Sequence, residues 1–70
     1  MTSDQLRQAL RELNGERAAT FCMDGIPEHI VVHNAMLIPD EPDHLVKVTD
    51  GKSVFIIDAE RVAWIRIGLK

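Results

Sequence analysis

Two short segments near the end of the chain restrict the fold more than anything else in it. Ser53-Val54-Phe55-Ile56-Ile57 and Arg61-Val62-Ala63-Trp64-Ile65-Arg66-Ile67 are rich in β-branched and aromatic residues, and only Asp58-Ala59-Glu60 lies between them. Side chains alternate between the two faces of a strand. Val54 and Ile56 therefore share one face of the first segment, and Phe55 and Ile57 share the other. The second segment sets Val62 and Trp64 against Ala63, Ile65 and Ile67. Both faces are apolar in each case, and the interior of a small barrel absorbs only one set. The other needs a helix or a second copy of the chain to cover it.

The rest of the chain supplies one helix and three more strands. Thr2 and Gln5 have the spacing of a capping box. Leu6, Ala9, Leu10 and Leu13 recur on one helical face, and Asn14-Gly15 is a stop, because glycine accepts the left-handed backbone that closes a helix. This predicts a helix over about 3–14. Strands follow over about 17–23, 28–38 and 44–48, and the two segments above complete the series at 53–57 and 61–67. Asp24-Gly25 and Pro27 separate the first pair. Pro39-Asp40-Glu41-Pro42-Asp43 makes a solvated loop, and Asp50-Gly51 is a hairpin signal. The segment 28–38 is apolar on both sides, as expected of a long strand that bends partway and serves two sides of a barrel.

With 70 residues the chain forms one domain with one small core. Five short antiparallel strands left as an open sheet would expose adhesive edges. The expected architecture is therefore mainly β with an N-terminal α-helix, the five strands curling into a small barrel and the helix capping one end.

This order resembles the Sm-like family, including bacterial Hfq, over nearly the whole chain. The shared features are the N-terminal helix, the long bent second strand and the one-turn connection between the last two strands. Other small barrels, SH3-like ones among them, share the strand order. The segment Val54-Phe55-Ile56-Ile57-Asp58-Ala59-Glu60-Arg61-Val62 looks like the place where Hfq proteins carry Tyr-Lys-His-Ala. There Ile56 stands for the tyrosine, Ile57 for the lysine and Asp58 for the histidine, and Ala59 alone is retained. The replaced residues are those the family uses for uridine-rich RNA. The resemblance also implies rings in which the fourth strand of one copy pairs with the fifth of the next. Val54, Phe55, Ile57, Trp64, Ile65 and Ile67 are the candidate contact residues.

Charge bears on the alternative, an RNA-binding protein of the same type. Eight Lys and Arg residues face eleven Asp and Glu, for a net charge of −3, whereas a phosphate-binding surface concentrates basic side chains. RNA is thus disfavoured as a partner. If it is bound, Lys47, Lys52, Arg61 and Arg66 are the phosphate contacts and Trp64 the stacking platform. Trp64 also suits a subunit contact, where Trp and Arg are enriched.

No pattern in the chain points to an enzyme or to a cofactor. His29 and His33 would lie about 13 Å apart on a strand, at roughly 3.3 Å per residue, too far to share a metal ion. Asp40, Glu41, Asp43 and His44 lack the spacing of a calcium loop. Gly51-Lys52-Ser53 lacks both the upstream glycine and the following helix of a phosphate loop. Cys22 could act as a nucleophile only beside a base such as His29 or His33, and otherwise reads as a small buried hydrophobe. As the lone cysteine it has no disulfide partner within the chain. The absence of an apolar leader or of a run long enough to span a bilayer makes a cytoplasmic, membrane-free protein the expectation.

Overall fold

A computed structural model describes residues 1–69. It begins with helix α1 (Ser3–Leu10) and continues through β1 (Arg17–Met23), β2 (Ile30–Leu37), β3 (Val46–Thr49) and β4 (Val54–Ile57). A single 3-10 turn (Ala59–Arg61) then leads into β5 (Val62–Ile67). The strands form one antiparallel sheet in the order β4-β3-β2-β1-β5. The fold is therefore mainly β with an N-terminal helix, and β4 and β5 are its two edges.

The capping box forms as the sequence indicates. The Thr2 hydroxyl accepts the Gln5 N–H at 3.1 Å, and the Gln5 side chain accepts the Thr2 N–H at 3.0 Å. The helix ends at Leu10, four residues before the expected position 14. Beyond it the bonds tighten to a three-residue step, with Leu13 N–H donating to the Leu10 carbonyl at 3.1 Å. Leu13 still reaches the core, through this tighter turn in place of a further α-helical one.

Most strand boundaries shift by a residue or two, each for a local reason. β2 begins at Ile30, opposite Phe21, which leaves 28 and 29 in the connection from β1. β3 begins at Val46 because His44 adopts a positive φ of 57° and closes a turn onto the Glu41 carbonyl at 2.8 Å. Ser53 belongs to the hairpin turn, where Asp50 Oδ1 accepts both the Lys52 and Ser53 N–H groups. Arg61 belongs to the 3-10 turn, which Asp58 caps by accepting the Glu60 N–H at 3.1 Å.

The bend in β2 is located at Asn34. Arg17 pairs with Ala35 and Ala19 with Val32, so three steps on β2 oppose two on β1. Asn34 absorbs the extra residue with a positive φ of 51°, a conformation Asn tolerates better than most residues. His33 and Asn34 both face solvent, and the inward alternation resumes at Ala35. β2 pairs with β1 from Ile30 as far as Ala35, and Met36 and Leu37 then pair with Thr49 and Val48 of β3.

Folding the sheet in this way creates a pocket that α1 fills. Leu6, Leu10, Phe21, Val32, Val46 and Val48 are its largest fully buried side chains. Helix α1 rests against β2, β3 and the 3-10 turn. The amino group of Met1 donates to the Ala59 carbonyl at 3.1 Å, tying the start of the helix to that turn.

Replacing Asn34 with valine should lower unfolding stability by roughly 1–2 kcal/mol, since a β-branched side chain resists positive φ. Asn34→Gly should retain stability to within a few tenths of a kcal/mol. Denaturant midpoints of the two variants against the unaltered chain would test the bend.

Candidate functional site

The two sheet edges hold the exposed apolar residues that need explaining. On β4 the side chains split by face. Ile57 is buried and Phe55 packs half-buried on the core, whereas Val54 and Ile56 are 56% and 60% exposed. Thr49 lies opposite Val54 on one side and Met36 on the other, so exposed Met36 extends the apolar strip across three strands. An open groove lined by Leu45, Ile56 and Ala59 adjoins the same edge.

On β5, Ile65 and Ile67 pack half-buried against the core, and Trp64 faces outward at 40% exposure. Trp64 sits opposite Cys22 of β1. Its ring meets that of His29 edge-on, with centroids 5.0 Å apart at 80°. The contact ties β5 to the connection that leads from β1 into β2. Arg66 lies on the same outward face as Trp64, two residues further on.

The candidate contact residues thus divide. Val54 and Trp64 are exposed, Phe55, Ile65 and Ile67 are half-buried at the edges, and Ile57 belongs to the core. Ile56 and Met36, absent from the candidate set, are exposed. Ile56 was legible from its alternation with Val54. Met36 was not, because the bend at Asn34 sets which way it faces.

The basic candidates are dispersed. Lys47 donates to Glu41 at 2.6 Å and to Asp43 at 2.7 Å, and its side chain is largely covered. Its charge is met within the chain. Arg61 lies 3.6 Å from Asp58. Lys52 is exposed at the β3–β4 hairpin tip, and Arg66 is exposed on β5 at the opposite end of the sheet order.

A second cation fixes the loop between β2 and β3. Arg7 projects from α1 with its side chain only 12% exposed and pairs with Asp40 at 3.0 Å. It also donates to the carbonyls of His44 at 2.7 Å and Leu45 at 3.2 Å. Asp40 in turn lies 3.3 Å from the His44 ring. The acidic cluster of this loop is therefore occupied by Arg7 and Lys47.

The Cys22 thiol has no hydrogen-bond partner among the described residues, and His29 and His33 are both exposed. No group of three or more His, Cys, Asp or Glu side chains is placed to hold a metal ion among the described residues. No helix among them is long and apolar enough to cross a membrane. Searches against family models, curated proteins and solved structures found no match.

The electrostatics of the Lys47 clamp have a defined sign. The hydrogen bond from Lys47, aided by the Leu45 N–H, holds the Asp43 carboxyl below its usual range, and Asp43 followed by Glu41 raises Lys47. Asp50 is also lowered, by the N–H groups of Lys52 and Ser53. A depressed carboxyl stabilises the fold above its unfolded value of about 3.9, and that contribution is lost as pH falls through the folded value. A raised lysine stabilises below about 10.4 and loses its contribution as pH rises through the folded value. Asp43→Asn should therefore flatten the acid side of a melting-temperature profile, leaving the part due to Asp50. An unchanged profile would show that the clamp is not maintained in solution.

Proposed function

We propose that this chain is a non-enzymatic, Sm-like small barrel whose copies join edge to edge and serve as a binding or scaffold module. The observation that carries the reading is the pair of unlike strand edges at the ends of one sheet, β4 with Val54 and Ile56 and β5 with Trp64, Ile65 and Ile67. Exposed edges of this kind are adhesive, and soluble proteins usually blunt them with charge, proline or a covering element. Here Arg66 is the one charged side chain on either edge strand.

The architecture supports the Sm-like part of the reading. An N-terminal helix, a second strand bent at a bulge, the order β4-β3-β2-β1-β5 and a single 3-10 turn before β5 are its elements. The edges are not alike, so pairing is head-to-tail, and it closes as a ring or continues as a filament. A 70-residue core without disulfides also gains stability from association. With one cysteine and no disulfide to gain from an oxidising compartment, the chain suits the cytoplasm.

Single-stranded RNA binding is the reading that this one displaces. The net charge of −3 and the clamp on Lys47 both weigh against a phosphate track.

Light scattering on a sizing column at two salt concentrations should give a mass several times 7.9 kDa. Ile56→Lys should return it to one chain with an unchanged circular dichroism spectrum. Ile56 is the better position for a charge, because one at half-buried Phe55 would also disturb the core. A single-chain mass for the unaltered protein would overturn the proposal. Binding of single-stranded RNA that weakens steeply with salt would restore the competing reading.

A further inference from the structure

The backbone hydrogen bonds restrict how two copies can meet, and this inference rests on the edge-to-edge reading above. In an antiparallel ladder, successive residues turn their N–H and C=O groups to opposite sides. Gly68 N–H donates to the Ala18 carbonyl at 2.8 Å, and the same register sets Arg66 opposite Thr20 and Trp64 opposite Cys22. Trp64 and Arg66 therefore direct their backbone groups into the sheet, toward β1. Ile65 and Ile67 direct theirs away from it.

At the other edge, Asp50 N–H donates to the Ser53 carbonyl at 3.4 Å, and Val48 lies opposite Phe55 and Val46 opposite Ile57. Phe55 and Ile57 thus use their backbone groups on β3. Val54 and Ile56 hold theirs toward the open side. An added strand must set free groups against free groups, and residues directly opposite one another share a face. In an antiparallel pairing the exposed side chains of β4 consequently meet the core-facing residues of β5 and not Trp64.

We propose that copies pair antiparallel in the register Val54 opposite Ile67 and Ile56 opposite Ile65. This register engages the free backbone groups of all four residues and matches aliphatic to aliphatic on one face. On the other face it sets Arg66 opposite Phe55, a cation against an aromatic ring, and Trp64 opposite Ile57. Sliding by two residues in one direction leaves Ile56 facing only Ala63. Sliding in the other puts Ile65 against Asp58. A parallel pairing would lay Val54 and Ile56 alongside Trp64 and Arg66. That would lay the charged Arg66 beside an aliphatic side chain in place of the aromatic ring of Phe55.

Cysteine pairs carried on separate chains read the register directly, because directly opposed residues lie about 4.5–5.5 Å apart at Cα, within disulfide reach. Both chains carry Cys22→Ala, and one carries an affinity tag so that a mixed dimer is resolved by mass. A Val54→Cys chain oxidised with an Ile67→Cys chain should give several-fold more mixed disulfide than with an Arg66→Cys chain. Asp58→Cys with Ala63→Cys, both at exposed positions, tests the same register should Ile67→Cys fail to fold. Preferential cross-linking of Val54→Cys to Arg66→Cys would overturn the register while leaving edge pairing intact. A multimer by light scattering that cross-links at none of these pairs would overturn it too. A single-chain mass for the unaltered protein would remove both the register and the assembly it rests on.

Discussion

At Asn34 the backbone takes a φ of 51° and β2 changes partners. As far as Ala35 the strand pairs with β1, and from Met36 it pairs with β3. Were the same residues to run as a regular strand without the bulge, the alternation of Val31 and Val32 would continue unchanged, and Ala35 would face solvent in place of the core. The pocket that receives Leu6 and Leu10 exists because the sheet turns here. The exposure of Met36 follows from the same residue, since it restarts the alternation on the far side of the bend.

Much of this was legible from the chain. The capping box, β1, the Asp-Gly hairpin and the turn at 58–60 are local signals, in which a few residues settle the backbone without help from distant ones. Boundaries moved where a distant contact intervened. His44 and Leu45 were expected to open the third strand, yet their carbonyls accept hydrogen bonds from Arg7, 37 and 38 positions away. The helix stopped early because Leu13 could be buried without another α-helical turn. Alternation alone distinguishes the two faces of β4 but does not say which of them is inward, so a list containing Val54, Phe55 and Ile57 mixed both.

Two of the cations in this small protein act within the chain. Arg7 and Lys47, on separate elements, each reach into the loop between β2 and β3 and hold its carboxylates. A loop that reads in sequence as a solvated acidic stretch is thus fastened at both ends, to α1 through Asp40 and to β3 through Glu41 and Asp43. Surface ion pairs contribute little individually, but the backbone carbonyls that Arg7 also engages make this a positional restraint. The basic side chains counted in the composition are consequently fewer at the surface than the formula suggests.

The brevity of β4 has a bearing on solubility. An uncharged run of aliphatic and aromatic residues on an open edge is the raw material of fibrillar stacking, which requires about six or seven such residues in succession. Val54–Ile57 offers four, with Asp50 and Lys52 shortly before it and Asp58 immediately after. Any stack of identical strands in register would bring like charges together at both ends of the apolar run, as gatekeeper residues do. The edge is long enough to hold a strand that ends where it ends, and too short to template an indefinite pile of its own kind.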